Sequence, residues 1–402
     1  VAPCGAGITG VRRPDAGAPV LFTPAFLLLA LANLATVSSF GSFSLLPLFL
    51  SERGATQADM GVLMGAMALA SVVCRPWTSE TIDRMGRKKS YTAGSVLMTV
   101  VPLIYLLAAG AGGLPYVPFL LARLLHGVGL ALCFTAVFTW AADQVPVSRL
   151  NEGIGLFGVS GLAGLALGPI LGELVIRGWG FPAFFLVASA LAGMGLSAHL
   201  LVKDTPFCAS GSAGSSFFSV LRTPKATSIA LMAALFGVGL AATGNFVAPF
   251  AERQGVGFVS LFYGAYSATA ILARLLGGRL ADQLGEARLI PCGLGAAAAG
   301  LAVLSLLGGD ETLAIAGALT GCGHGLVFPS LNAAAVRNEP PEVRGKLTGV
   351  FTGGIDAGAF LGSIALGYVG EWAGFPALFA AAGLASLGGM GLFRLRRGLL
   401  AR

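Results

Sequence analysis

The feature that most constrains this chain is a series of apolar stretches, each long enough to cross a bilayer, that recurs from one end to the other. A spanning helix needs about 20 mainly apolar residues. Twelve such stretches can be marked, at roughly 24–50, 58–77, 90–110, 115–141, 151–176, 180–202, 226–250, 256–279, 288–308, 311–335, 346–370 and 373–394. Within hydrocarbon every backbone polar group needs an internal partner, which a helix supplies by itself. The chain therefore reads as an all-α membrane protein of twelve transmembrane helices. Composition agrees: 55% of the 402 residues are hydrophobic and 11% charged, too little charge to cover a soluble surface of that size. The 60 glycines suit helices that approach one another through small residues. The first stretch, near Leu21, lies too deep and runs too long for a cleaved signal peptide, so it is read as the first span.

Charge sets the orientation. With both termini on one side, 21 of the 25 Lys and Arg residues fall on that side. Arg53, Arg177 and Arg253 fall in loops on the other side, and Arg123 lies inside a span. By the positive-inside rule both termini are expected in the cytoplasm and the chain in the cell (inner) membrane. The formal charge of +7 flanks membrane spans, which argues against nucleic acid as a partner. The six cysteines show no paired spacing, and no metal site, cofactor or disulfide framework is read from them.

The two halves repeat. Gly180-Phe181-Pro182-Ala183 returns as Gly374-Phe375-Pro376-Ala377; Arg75, Asp83 and Gly86 return as Arg274, Asp282 and Gly285; His126-Gly127 returns as His324-Gly325. The offset stays between 194 and 199. Secondary transporters use such duplicated units, with the substrate site between them. The expected organisation is a tail at 1–21, a six-helix bundle at 22–202, a linker at 203–225, a second six-helix bundle at 226–396 related to the first by a pseudo-twofold axis, and a tail at 397–402. The linker carries the Ser/Gly-rich run 210–216, a flexible composition.

The loop after the second span reads Ser79-Glu80-Thr81-Ile82-Asp83-Arg84-Met85-Gly86-Arg87-Lys88. A small residue four before Asp83 shares its helical face and lets a neighbouring helix come close. Asp83 is placed to meet the positive end of another helix, and Arg87 to pair with an acid at a helix end. This loop resembles the signature of the major facilitator superfamily, Gly-x-x-x-Asp-Arg-x-Gly-Arg-Lys, with Ser79 for the first Gly. The resemblance implies that Arg87 pairs with Asp143 at the end of the fourth span, and that Asp83, Arg84, Arg87 and Asp143 gate the transporter as a charge relay. A plain positive-inside loop is the alternative. The second copy keeps Asp282 but has Glu286 where Arg87 stands.

Two further elements resemble that superfamily. Arg123-Leu124-Leu125-His126-Gly127-Val128-Gly129 is similar to its Arg-x-x-Gln-Gly-x-Gly element, with His126 for Gln. An Arg at mid-membrane costs about 2.5–3.5 kcal/mol on insertion scales, and the resemblance implies proton coupling or substrate holding for Arg123. Gly155, Gly164, Gly168, Pro169 and Gly172 reproduce its antiporter signature up to the last position, where Glu173 replaces Gly. Gly164 and Gly168 share a helical face, and Pro169 is expected to kink the span. Generic glycine packing is the alternative.

Ionisable residues at mid-membrane depth are functional candidates by default. They are Asp356, His324 and His126, with Arg123 shallower; a pairing of Asp356 with His324 is one expectation. A structural hydrogen-bonded His and a helix-packing Asp are the alternatives. Asn33, Asn245, Tyr263, Tyr266 and Asn332 are expected in the cavity, or else as interhelical hydrogen-bonding groups. Together these readings imply the major facilitator fold and a monomeric transporter of a small molecule, coupled to protons and working as an exporter. Proton-coupled uptake of a sugar, organic acid or similar nutrient is the second reading. A membrane enzyme lacks support, since neither His-Glu-x-x-His nor Gly-x-Ser-x-Gly occurs.

Overall fold

The structure, a computed structural model, describes residues 21–110, 113–146, 149–204 and 217–400. The expected N-terminal tail up to residue 20, most of the expected linker and residues 401–402 lie outside the described residues, as do the side chains of Asp83 and Asp282.

Nine helices among the described residues have the length and hydropathy of a membrane span. Two of the nine are double. Leu150–Leu200 breaks at Gly180, with φ of 76°, and Pro341–Leu400 breaks at Gly374, with φ of 81°. Ser260–Leu284 completes a set of twelve, and no strand occurs among the described residues. In chain order these are α1 Pro24–Glu52, α2 Gln57–Met85, α3 Arg87–Ala109, α4 Tyr116–Asp143, α5 150–179 and α6 181–200. The second half holds α7 Pro224–Asn245 with its continuation Val247–Arg253, α8 Ser260–Leu284, α9 Glu286–Ser305, α10 Asp310–Val336, α11 341–373 and α12 375–400.

The sequence repeats mark places where the backbone needs them. A positive φ is strained for any residue with a Cβ, and Pro in the first helical turn starts a helix. Gly-Phe-Pro-Ala thus builds the tight turn from α5 to α6 and again from α11 to α12. Trp179 and Trp372, 75% and 81% exposed, flank these turns at the level where aromatic side chains meet the membrane surface. Thr23 caps α1 by accepting from the Phe26 amide at 3.2 Å, and Thr223 caps α7 from the Ala226 amide at 3.4 Å. Pro follows each cap. Within Leu150–Leu200 the one residue with non-helical dihedrals is Gly180, between α5 and α6; the backbone stays helical through Pro169.

Within the first half α1 packs on α5, α2 on α4, and α3 on α4 and α6; α7 to α12 repeat this arrangement. Between halves, α2 meets α11 and α5 meets α8. Lipid tails are as apolar as Leu, so these contacts gain from van der Waals packing rather than from escape from water. A Cβ on Gly164 would stand 2.9 Å from both the Leu34 carbonyl oxygen and Val37 Cβ, so α5 approaches α1 only because a Cβ is missing there.

The buried side chains form three clusters. Around the end where α1 begins, each half has its own, one near Trp140 and Phe157 and the other near Phe236 and Phe351. Around the opposite end a single cluster joins Phe43, Phe49 and Phe185 of the first half to Phe246, Phe262 and Phe379 of the second. The halves are thus fused at the far end, and a cavity separates them below it.

Candidate functional site

The cavity between the halves has a volume of about 370 Å³ and draws its walls from α1, α2, α4, α5, α7, α8, α10 and α11. Most of the lining is apolar, with Phe40, Phe43, Phe134, Phe138, Phe262 and Phe328 prominent. Four charged residues interrupt it: Arg75, Arg123, Arg274 and Asp356.

Asp356 is the one carboxylate among the lining residues. Three donors converge on its Oδ2: Arg75 through Nη2 at 2.6 Å and Nε at 2.8 Å, and Ser71 through its hydroxyl at 2.8 Å. Arg75 lies on α2 and Asp356 on α11, so this ion pair bridges the halves. The expected pairing of Asp356 with His324 is corrected. His324 shares a hydrogen bond with the Tyr266 hydroxyl and stacks edge-on against Phe236 at 5.6 Å. The charge count assigns Arg75 to the terminal side, but α2 continues through Pro76 to Met85, and Arg75 stands on the cavity wall. Arg274, its counterpart on α8, reaches the same cavity. It lies against Gly158 and over the Phe328 ring at 5.5 Å, and its Nε is buried without a partner.

Arg123 is 3% exposed. One of its nitrogens reaches the Met64 carbonyl at 3.5 Å, while Nε and Nη1 have no partner. His126 is fully buried against Phe43, ring centroids 4.8 Å apart, with neither ring nitrogen bonded; it does not line the cavity. Asn33, Asn245, Tyr263 and Tyr266 do line it. Asn33 donates to Ser160 at 2.9 Å and Asn245 to Ser363 at 2.7 Å, so each ties together the two helices it sits between. Asn332 is corrected: it is not among the lining residues, and its Oδ1 is buried elsewhere on α10 without a partner.

A family model described as Major Facilitator Superfamily matches residues 27–310 and 229–398. The chain belongs to the Major Facilitator Superfamily. Among curated relatives, an uncharacterised MFS-type transporter of Salmonella typhimurium, STM4428, is 27% identical over 369 residues, covering 87% of this chain and 90% of the relative. YhhS of Escherichia coli K12, also an uncharacterised MFS-type transporter, is 26% identical over 342 residues, covering 84% and 83%. In fold the chain is similar to the nucleoside transporter NupG, with a TM-score of 0.77 at 14% identity, over 92% of this chain and 99% of that one. The protein is thus a multi-pass integral membrane protein of a transporter superfamily, not an enzyme.

The superfamily motifs fall at the joints of the first bundle. Arg87 meets Asp143 at 3.0 Å and so ties α3 to α4. Arg84 pairs with Glu80 at 2.5 Å one turn back on α2. Lys88 donates to the carbonyls of Leu200 and Val202 at 3.0 and 2.6 Å, closing the end of α6. In the glycine element, Gly164 and Gly168 seat α5 on α1, and Gly172 leaves room for Leu45 and Phe184, each 3.1 Å from where its Cβ would be. Gly155 faces open space.

Glu173, which departs from the motif, has a task of its own. It is 4% exposed and accepts from the backbone amides of Val259 at 3.0 Å and Ser260 at 2.7 Å. It therefore caps the start of α8 in the other half, where the helix dipole is positive. Glu371 of α11 does the same for α2, accepting from Gln57 at 3.0 Å and Ala58 at 3.4 Å. Two carboxylates, one from each half, thus cap one helix each of the opposite half at the far end. Sequence reasoning missed both. The available signal was an acid at the outer end of an otherwise apolar span, in Glu173 at the position where the motif has Gly.

Proposed function

We propose that this protein moves a small molecule across the inner membrane by alternating access, coupled to protons and in the direction of export. The observation that carries the coupling is the Arg75–Asp356 ion pair, 2.6 Å long, on the cavity wall and between the halves. While Asp356 is ionised it holds Arg75 and ties α11 to α2. A proton on Asp356 removes the charge and weakens that tie, so proton loading biases how the halves rock. His324, bonded to Tyr266 in the same cavity, is the second candidate carrier. The basic-residue bias supports cytoplasmic termini, with the cavity below the fused far end on the cytoplasmic side. Each chain encloses a cavity of its own, which supports a monomeric transporter.

Export rests on the glycine-proline element of α5. Its Gly164 and Gly168 make α1 and α5 one packed unit, suited to rocking as a body without leak. The test uses proteoliposomes loaded with a pH-sensitive dye and challenged with panels of drugs, sugars, amino acids and organic acids under an imposed pH gradient. The expected outcome is solute-dependent proton flux in the wild type and none in Asp356→Asn. Solute flux indifferent to the gradient sinks the coupling. Uptake together with protons is the second reading, since the Arg75–Asp356 pair can serve coupling in either direction. Solute movement in vesicles loaded on one side or the other separates the two.

A further inference from the structure

We infer that the cavity binds an organic anion, an apolar or aromatic body with one carboxylate, phosphonate or sulfonate head, and that Arg274 receives the head. This rests on the transporter reading of the cavity, and it holds for either direction of movement.

The argument begins with the internal repeat. Gly164 packs on the carbonyl of Leu34 in α1, and Gly358 packs on the carbonyl of Ala234 in α7. The pair is 194 apart, the same offset as the turns at Gly180 and Gly374. At that offset the residue of α5 matching Asp356 is Leu162. Arg75 and Arg274 are also repeat mates, on α2 and α8. In one copy, then, the arginine of the second helix meets an acid across the interface. In the other copy its mate lies against Gly158, and among the described residues no carboxylate pairs with it. Both Leu162 and Arg274 line the cavity.

Neither Arg274 nor Arg123 makes an ion pair among the described residues. Arg274 keeps a buried Nε without a partner, and Arg123 keeps both Nε and Nη1. A buried guanidinium nitrogen without an acceptor is costly, and an anion entering the cavity supplies what is missing. Three guanidinium groups against one carboxylate leave the wall with an excess of two positive charges. A guanidinium presents a planar fork matched to carboxylate, phosphonate or sulfonate oxygens. The rest of the wall specifies the remainder of the ligand. Its phenylalanines suit an apolar body, and about 370 Å³ holds a molecule of one or two rings.

The experiment measures binding to the purified full-length protein in detergent, with no gradient and no membrane. The probes are 2-naphthoate, naphthalene-2-sulfonate and naphthalene-2-phosphonate, with 2-naphthamide and 2-naphthylmethylamine as neutral and cationic counterparts; the readouts are the thermal midpoint and tryptophan quenching. The expected result is stabilisation by at least one anion and by neither counterpart. Arg274→Gln should weaken that anion at least about tenfold, Arg274→Lys should restore part of the loss, and Ser197→Ala, exposed on α6, should change nothing. Equal binding of the amide or amine, no binding by any of the three anions, or full binding in a folded Arg274→Gln overturns the inference. Gradient-driven flux of other solutes would survive that failure. Anion binding without any flux would instead count against the transport reading alone.

Discussion

Asp356 brings three donors to a single oxygen, and removing it leaves Arg75, 11% exposed at its side chain, without a counter-ion. Asp356→Asn should therefore cost about 1–3 kcal/mol of stability, read from thermal unfolding in detergent. The pair with Arg75→Gln should cost less than the sum of the two single changes, because the double variant leaves no orphaned charge. A fully additive cycle would mean that the two side chains do not interact. The sequence showed that Asp356 lies at mid-membrane depth, because the span around it is unambiguous. It did not show the partner. Arg75 sits beside Pro76 near the expected end of its span, and only the continuation of α2 to Met85 turns it into a cavity residue. That Arg274 reaches the cavity is hidden for a similar reason: nothing in a single sequence shows which face of α8 turns inward.

At the scale of elements, the turns were legible because they impose chemistry on single positions. Gly180 and Gly374 repeat because both need positive φ, and substitution by Ala at either should cost about 1 kcal/mol. The α1–α5 contact makes a sharper prediction. Gly164→Val inserts side-chain atoms where 2.9 Å is available, and overpacking of this kind costs about 1–3 kcal/mol. Gly155→Ala, in the same motif but facing open space, should be tolerated, and the two thermal midpoints measured side by side decide it. The reciprocal caps were illegible, since they depend on where two helix starts meet two span ends across the interface. Glu173→Gln and Glu371→Gln should each loosen far-end closure by about 0.5–2 kcal/mol. Dyes at Glu52 and Glu252, both exposed, would report this as a longer distance by single-molecule energy transfer. An unchanged distance distribution in both variants would show that the caps do not hold the end shut.

For the molecule as a whole, the charge of the cavity links ligand to proton. An anion at Arg274 lowers the local positive potential, which makes protonation of Asp356 easier, and linkage is reciprocal. If the two sites hold their loads together, binding of an organic anion in weakly buffered solution takes up protons, as the second reading requires; if the loads exclude each other, as export by exchange requires, binding releases them. In either case the proton change should vanish in Asp356→Asn, and its sign decides between export and uptake. The single aromatic cluster at the far end bears on the switch between access states in another way. Opening that end separates Phe43 and Phe49 from Phe246 and Phe250 and wets their surfaces. Apolar surface gains about 0.45 kcal/mol/K of heat capacity for each 1,000 Å² hydrated, whereas the separate clusters at the other end lose little when they dock. The equilibrium between the two access states should therefore curve with temperature, with the far-closed form weakening on cooling as well as on strong heating, so that transport in the cold is limited by a different half of the cycle than transport in the warm.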